Sequence, residues 1–286
     1  MKIQREERGR RIFNGDLCAQ RMVKIVKILI VGKGGFIGEN FALFAKNKTN
    51  GVVSADIVDS FDEWTSHNFE DYSAVLFAAG IAHRKQKKSD KQQYFAVNRD
   101  LALAVAEKAK KSRVPHFIYL SSLAVYGKKE GEISSNSKPN PRHNDYYGTS
   151  KFQAENSLKN LQDKAFKVAI VRPPMVYGKN CPGKYRTLEK ISKFLPLVPN
   201  NRNKRSIIYI DNLCAFLCAL IMLGSEGEFC PQDKEFANTA ELIKKIRTEN
   251  GKKTRLFNAR VLIKILSIFP SVKTAFGTLY YEGEVK

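Results

Sequence analysis

The sequence predicts an α/β fold, in which a doubly wound parallel sheet is followed by a smaller C-terminal substrate-binding lobe. Short apolar segments alternate with amphipathic ones through the first 172 residues, as strands and helices do in a parallel sheet covered on both faces. A glycine-rich turn directly follows the first apolar segment. Beyond Arg172 the alternation weakens and prolines become frequent, which indicates a second, looser lobe.

Each predicted strand is a short run of aliphatic and aromatic residues, with the nearly continuous apolar character of strands that are buried on both faces. These runs are residues 24–31, 52–56, 74–78, 117–120 and 168–171. The segments between them carry apolar side chains at helical spacing, which predicts helices over 36–45, 92–111 and 147–161.

The second lobe is expected to hold fewer regular elements. They are a short strand over 206–210 and helices over 240–250 and 259–268. Asn212 is expected to cap a further helix that ends at Gly224. The apolar tail 261–281 is expected to pack as the last helix of the fold, and contact with a membrane surface is the alternative.

The composition is that of a packed globular protein, because 43% of the 286 residues are hydrophobic. The formal net charge of +21 could indicate a nucleic-acid partner. However, the basic residues are scattered, and their one tight cluster, at positions 84–88, has no interleaved aromatic residues. We therefore expect no nucleic acid as partner, and we expect the positive charge to attract an anionic, nucleotide-linked substrate.

Cysteine and histidine usage predicts neither disulfides nor a metal site. The five cysteines are an odd number without a dense framework, which fits a reducing, cytoplasmic compartment. The four histidines show no metal-ligand spacing, so no metal is expected. The longest apolar run, residues 213–223, is too short to span a bilayer, so no integral membrane segment is expected.

A glycine loop is the first functional signal. Gly32 and Gly35 lie between the first predicted strand and a helix that begins at Phe36 and Ile37, and Gly38 follows in the first turn of that helix. Glycines permit a tight turn and a close approach of the backbone to a pyrophosphate, and the helix N-terminus presents N–H groups to that anion. The sequence therefore predicts a Rossmann-type site for a dinucleotide.

The choice of dinucleotide depends on an acidic residue at the end of the second strand, which would bind the ribose hydroxyls and repel a 2′-phosphate. Asp56 stands near the usual spacing after the last glycine of the loop, and Asp59 follows shortly after it. Both are candidates, and either favours NAD over NADP.

These patterns divide the chain into three parts: a polar N-terminal extension over 1–21, an NAD-binding Rossmann domain over 22–172 and the substrate-binding lobe over 173–286. Residues 1–21 lack the apolar core of a secretory signal. Met22 stands just before the first predicted strand. We therefore expect that the natural start is Met22 or that residues 1–21 are a dispensable arm.

Ser122, Tyr147 and Lys151 follow the glycine loop in an order that suits proton transfer. Tyr147 and Lys151 are four residues apart on one predicted helix and so share a face. A lysine ammonium within about 4–6 Å of a tyrosine hydroxyl favours the phenolate and lowers the pKa of the tyrosine by about 1–3 pKa units. We therefore expect Lys151 to bring the pKa of Tyr147 well below its usual value and into the range of a general acid/base. Ser122 ends the fourth predicted strand and could hydrogen-bond the same substrate oxygen.

With these residues the chain resembles the extended short-chain dehydrogenase/reductase family, the nucleotide-sugar epimerases and dehydratases, from about residue 24 into the C-terminal region. The segment Gly32-x-x-Gly35-Phe36-Ile37-Gly38 resembles the family's cofactor loop. The other segments that carry the resemblance are Ala78-Ala79-Gly80, Val97-Asn98, Ser121-Ser122-Leu123-Ala124-Val125-Tyr126-Gly127, Arg172 to Gly178, and Arg205 to Asp211.

The resemblance implies a role for each of these positions. Residues 78–80 would turn beside the nicotinamide, and Asn98 would support the active-site helix. Ser122 would be the catalytic serine, and Lys151 would also hold the cofactor ribose. Arg205 would hold the substrate diphosphate, for which a bidentate guanidinium is well suited. Family members often dimerise through two helices, which implies a homodimer.

Two departures from the family pattern bear on the reaction. The family's 4,6-dehydratases carry Thr-Asp-Glu where this chain has Ser122, Leu123 and Ala124. Without those carboxylates, elimination of water is not expected. Met175 replaces the asparagine that contacts the nucleotide sugar in the family, which leaves the pose of the substrate open.

The resemblance therefore predicts an NAD-dependent 4-epimerase of a UDP-hexose or UDP-N-acetylhexosamine, acting through a transient 4-keto intermediate. The same residues would serve an NAD(P)H-dependent 4-ketoreductase of a 4-keto-6-deoxy nucleotide sugar in surface-polysaccharide synthesis, and this alternative stays open. A non-catalytic NAD-binding regulatory protein is the third possibility, which the intact Ser122, Tyr147 and Lys151 disfavour.

Overall fold

The computed structural model describes residues 25–82, 86–266, 268–269, 272 and 275–283. The predicted extension over 1–21, the candidate start Met22 and Lys24, the first residue of the first predicted strand, lie outside the described residues.

The predicted strands and helices occur near their expected bounds, and the structure adds several short elements that were not predicted. The strands are β1 (Val26–Val31), β2 (Val53–Val58), β3 (Ala74–Phe77), β4 (His116–Leu120), β5 (Gly131–Ile133), β6 (Lys167–Val171), β7 (Met175–Tyr177), β8 (Leu197–Asn200), β9 (Ile207–Tyr209), β10 (Gly227–Phe229), β11 (Arg255–Asn258) and β12 (Leu279–Tyr281). The helices are α1 (Phe36–Lys48), α2 (Glu63–Ser66), α3 (Lys91–Phe95), α4 (Leu101–Lys111), α5 (Tyr146–Leu161), α6 (Lys184–Ser192), α7 (Ile210–Leu223), α8 (Thr239–Glu249) and α9 (Arg260–Leu266).

The main sheet has six parallel strands in the order β10-β6-β4-β3-β1-β2, which confirms the predicted α/β architecture. The chain passes from β1 to β2 on one side and then returns to place β3 on the other side of β1. Ligands of open α/β sheets bind at such a reversal, beyond the carboxyl ends of the strands. The glycine loop follows β1 at this point, and Ala78 follows β3.

Helices cover both faces of the sheet, so its central strands read as continuous apolar runs. On one face, apolar side chains of α4 and α5 pack against alternate residues of β1, β3, β4 and β6. On the other face, α1 and α7 pack against the intervening residues. The doubly wound arrangement is therefore confirmed.

The residues beyond 172 return twice to the main sheet. β10 pairs with β6 at the edge of the sheet, and α7 lies against α1 on one face. The remaining strands form three short parallel pairs, β7 with β9, β8 with β11, and β5 with β12. The division of the chain at residue 172 into two domains stays a prediction.

Asn212 does not cap a helix, so that prediction is wrong. α7 begins two residues earlier, at Ile210, and Asn212 donates its side-chain N–H to Asp233 Oδ1 at 2.8 Å. The other end of α7 is confirmed, because Gly224 follows the helix with φ of 57°, a left-handed conformation that glycine adopts without strain.

The tail does not pack as predicted. Ile263 is the buried residue of α9, whereas Val261, Leu262, Ile265 and Leu266 are exposed. The prediction rested on the apolar composition of the tail, but in α9 only the side that carries Ile263 is covered. Among the described residues, no helix has the length and apolar character needed to cross a bilayer.

Candidate active site

The glycine loop fits tightly against the end of the neighbouring strand. A Cβ atom on Gly32, whose φ is 133°, would lie 2.6 Å from the backbone nitrogen of Ala79, and one on Gly38 would lie 3.1 Å from Ile30 Cγ2. The Gly32 N–H donates to the Val58 carbonyl at 3.0 Å. The first and last glycines of the motif are therefore required by close backbone and strand packing, as the predicted cofactor loop needs.

The loop presents its N–H groups to an anionic oxygen. Gly35 occupies the N-cap position of α1 and has no side chain with which to cap the first turn, at Phe36 and Ile37. The Gly34 N–H donates at 2.8 Å to Glu39 Oε1, a carboxylate oxygen in the first turn of the same helix. The residues present thus fit the pyrophosphate of NAD.

The two acidic candidates for the ribose differ in position. Asp56 lies in the middle of β2, opposite Leu29, and its carboxylate accepts from Tyr72 Oη at 2.7 Å and lies 3.5 Å from Lys27 Nζ. Asp59 directly follows β2, next to the loop, and accepts from the N–H groups of Phe61, Asp62 and Glu63. The N–H of Phe61, more than the others, lowers the pKa of Asp59, so this residue is a carboxylate at neutral pH. Position therefore favours Asp59 over Asp56.

Ser122 and Tyr147 meet at the carboxyl end of β4. Ser122 begins a 3₁₀ turn, Leu123–Tyr126, and its hydroxyl accepts from the Ala124 N–H at 3.2 Å. Tyr147, in the first turn of α5, is half-buried and hydrogen-bonds the Ser122 side chain. The helix start is fixed by Asp145, whose carboxylate accepts from the Gly148 N–H at 3.1 Å. Two hydroxyl groups thus converge where a substrate oxygen could contact both.

Lys151 is buried one helical turn beyond Tyr147. Its ammonium donates to the Leu120 carbonyl at 2.8 Å and lies 4.7 Å from the ring centre of Tyr119. A Cβ atom on Gly80 would lie 3.2 Å from Lys151 Nζ and 3.2 Å from Asn98 Oδ1. The turn after β3, Ala78-Ala79-Gly80, therefore lies against the ammonium of Lys151. The family resemblance implies that this ammonium holds the cofactor ribose.

The expected pKa shift of Tyr147 is wrong for the protein chain itself. Burial raises the pKa of Tyr147 above its usual value, the hydrogen bond to Ser122 opposes this rise, and the charge of Asp145 adds to it. Burial also lowers the pKa of Lys151 to about 7, against a smaller upward effect of Glu155. Burial thus disfavours the charged form of each group, and the four-residue spacing in the sequence does not report burial.

Asn98 holds the turn after β3 against α5. Its side chain accepts from the Ile81 N–H at 2.9 Å and donates to the Ile81 carbonyl and to Ser150 Oγ. The backbone around Asn98, residues Ala96–Asp100, forms a π-helical turn between α3 and α4. Within this turn the Asn98 carbonyl accepts a hydrogen bond from Tyr119 Oη at 2.7 Å. The turn interrupts the single helix that was predicted over 92–111.

A buried ion pair behind the site was not predicted. Arg172, at the end of β6, donates two hydrogen bonds to Glu155 on α5, at 3.0 and 2.7 Å, and Ser121 Oγ donates to the same carboxylate. Burial alone would lower the pKa of Arg172. The hydrogen bonds to Glu155 and the negative charge of Glu155 outweigh this effect and raise the pKa of Arg172. Tyr147, Lys151 and Glu155 recur every four residues on one face of α5, which is the signal that could have indicated Glu155.

Arg205 lies in the second lobe and contacts the C-terminal segment. Its backbone pairs with Ala237, and its guanidinium donates to the Gly277 carbonyl at 2.9 Å. Burial lowers the pKa of Arg205, although it remains a cation. Within the described ranges, no three histidine, cysteine or acidic side chains are grouped as metal ligands.

Comparison with known proteins identifies a family. The model of the NAD dependent epimerase/dehydratase family matches residues 28–228. The chain is 28% identical over 253 residues to a UDP-glucose 4-epimerase of Vibrio cholerae, covering 79% of this chain and 76% of that protein.

A second relative and a solved structure extend the comparison. The chain is 26% identical over 213 residues to an N-acetyl-α-D-glucosaminyl-diphospho-ditrans,octacis-undecaprenol 4-epimerase of Escherichia coli O157:H7, covering 66% of this chain and 61% of that protein. A UDP-glucuronic acid 4-epimerase of Bacillus cereus, solved with NAD, has a TM-score of 0.66 at 19% identity, over 90% of this chain and 88% of that one. This last likeness shows the fold.

Proposed function

We propose that this chain, which belongs to the NAD-dependent epimerase/dehydratase family, is a 4-epimerase of a hexose or N-acetylhexosamine that is linked to UDP. The observation that carries the proposal is the hydrogen bond between Ser122 and Tyr147 beside the buried Lys151. Leu123 and Ala124 occupy the positions where a dehydratase would need carboxylates.

Tyr147 is the proposed proton carrier. As the phenolate it takes the proton of the C4 hydroxyl group, and as the resulting phenol it later returns that proton to the oxygen on the inverted carbon. Ser122 donates a hydrogen bond to that oxygen as its double bond to C4 forms. Bound NAD supplies the reversible hydride acceptor and, when oxidised, a positive charge that favours the phenolate. This charge would offset the burial that raises the pKa of Tyr147.

Arg205 is proposed to hold the diphosphate of the substrate. One N–H of its guanidinium donates to the Gly277 carbonyl, and the planar, permanently charged guanidinium suits the recognition of a diphosphate. By their names, the two relatives act on sugars with different diphosphate carriers. The sugar is linked to UDP in one case and to a polyprenyl diphosphate in the other. UDP is the carrier proposed here, and a polyprenyl diphosphate sugar belongs in the same substrate panel.

The proposed reaction is tested by redox balance. Purified enzyme should interconvert the two C4 epimers of a UDP-sugar without added reductant and without net formation of NADH. Stoichiometric consumption of NADH or NADPH with a 4-keto sugar would instead establish the 4-ketoreductase alternative.

The proton carrier is tested by two neighbouring tyrosines. Tyr147→Phe should lower kcat by about 10²–10⁴-fold, the usual contribution of a general acid/base. The matched control is Tyr146→Phe, one residue away on α5, which should keep nearly full activity. Equal turnover of the two variants would rule out the role of Tyr147.

A homodimer and a cytoplasmic location are also proposed. The family resemblance supports the dimer, which light scattering of the purified protein would test. Four cysteines of the described residues, Cys181, Cys214, Cys218 and Cys230, are free and buried, which supports a reducing compartment. Cys18 lies outside the described residues.

A further inference from the structure

One surface of the second lobe is unusually apolar for an exposed region. Six large apolar side chains on it face solvent, and we call them together the α9 surface: Phe194, Leu197, Phe257, Val261, Ile265 and Ile268. Phe194, Val261 and Ile268 are 82%, 74% and 77% exposed. Scattered single apolar residues are normal on proteins, but grouped ones mark an interaction site.

The backbone places Leu197 and Phe257 on one side of the lobe and joins the start of α9 to their strands. β8 pairs with β11, and the alternate residues Val198 and Leu256 point inward against α8, with Val198 fully buried. Leu197 and Phe257 therefore point to the opposite, outer side. α9 follows β11 directly, and the Ala259 N–H donates to the Asn200 carbonyl of β8 at 3.0 Å, which joins the start of α9 to this pair of strands.

Basic residues are in excess in the elements that carry the α9 surface and in their flanks. The basic residues of its elements and their flanks are Lys190, Lys193, Lys252, Lys253, Arg255, Arg260 and Lys264. No Asp or Glu occurs between residues 250 and 281 of the sequence. A second copy of the chain would bring the same positive charge to the interface, which opposes self-association through this surface.

We propose that the α9 surface binds an anionic lipid bilayer as a peripheral contact. Exposed aliphatic and aromatic side chains on a short helix, bordered by lysine and arginine, suit the boundary between lipid headgroups and acyl chains. Each basic residue near an anionic membrane adds to the attraction, which falls off within a Debye length of the surface.

Docking in this way would place the second lobe against the membrane. Arg260, Ile263 and Lys264 of α9 line an open cavity of about 490 Å³, together with Gly277, the carbonyl partner of Arg205. Binding to lipid requires no turnover, so the docking stands or falls separately from the proposed reaction.

The test is co-sedimentation of the full chain with phosphatidylcholine vesicles, prepared with and without phosphatidylglycerol. The chain should bind the phosphatidylglycerol vesicles, and salt should weaken the binding because surface charges are screened. The double variant Val261→Glu/Ile265→Glu should bind at least about tenfold more weakly, because it puts two charges into the apolar contact.

A matched control has the same change elsewhere. Leu43→Glu/Leu223→Glu also replaces two exposed aliphatic residues, on α1 and α7, and should bind like the wild type. Val261→Ser/Ile265→Ser tests the same contact without added charge and should also weaken binding. Thermal unfolding of each variant verifies that it is folded.

Three results would overturn the proposal. The first is no binding of the wild type to phosphatidylglycerol vesicles, and the second is equal loss of binding in the α9 and control double variants. The third is a wild-type oligomer in sedimentation velocity that dissociates in Val261→Ser/Ile265→Ser, because a second copy would then cover the surface.

Discussion

The buried pair between Glu155 and Arg172 links three elements of the site, and its removal tests how the site is held. The pair ties α5, which carries Tyr147 and Lys151, to the end of β6, and Ser121 on the adjacent strand end bonds the same carboxylate. We expect Glu155→Gln to leave the shape of the side chain intact and to remove one charge of the pair.

The cost follows from burial. Glu155 is fully buried and Arg172 is 2% exposed, and breaking a buried pair by removal of one partner costs about 3–5 kcal/mol. Arg172 keeps its bond to Glu228 at 2.6 Å, and a glutamine oxygen can still accept one bond, so the lower end applies. We expect a loss of about 3 kcal/mol in the free energy of unfolding, or about 6–12 °C in Tm for a chain of this size.

Urea unfolding and a thermal scan measure this loss. The control is Glu241→Gln, which removes an exposed pair with Lys244 at 3.9 Å and should change stability by less than about 0.5 kcal/mol. In a double-mutant cycle, Glu155→Gln/Arg172→Gln should cost less than the sum of its single changes. Equal effects of Glu155→Gln and Glu241→Gln, or strictly additive single changes, would refute the reasoning.

Three further outcomes are expected. Burial lowers the pKa of His116 to about 4 from 6.5, so between these values only the unfolded chain binds the proton and stability falls as the pH is lowered. This dependence is worth roughly 3 kcal/mol between pH 7 and pH 4. His116→Asn should lose it, as measured by unfolding at the two pH values. Burial lowers the pKa of Lys151 to about 7 from 10.5, so the stability of the wild type should rise with pH between these values. Lys151→Met should lack this rise and, although inactive, should be more stable than the wild type at pH 7 by about 1–3 kcal/mol. A variant that is less stable than the wild type at pH 7 would contradict this. Asp59→Arg should shift the ratio of NAD to NADP dissociation constants toward NADP while Asp56→Arg does not, and a shift in Asp56→Arg alone would reverse the assignment.

The sequence predicted those parts of the site that depend on local order along the chain. The glycine loop follows a buried strand and opens a helix, and Ser122 ends a strand, so the topology alone brings both to the same edge of the sheet. Tyr147 and Lys151 share a helix, so their spacing was sufficient to place them on one face.

The rest depends on tertiary structure. The end of β2 is set by its pairing with β1 through Val58, two residues beyond the predicted end, which is why Asp59 rather than Asp56 lies beside the loop. The pKa values of Tyr147 and Lys151 are set by burial, which spacing does not report. Glu155 and Arg172 come from different elements, and only the packed structure brings them together.

Deuterium at C4 of the substrate tests the central claim most directly. If Tyr147 only carries the proton of the C4 hydroxyl, the hydrogen on carbon must leave and return within the closed site. A UDP-sugar labelled with deuterium at C4 should therefore give an epimer that retains the label at C4, in ordinary water and without net NADH. Replacement of the label by solvent hydrogen at C4 would contradict the account.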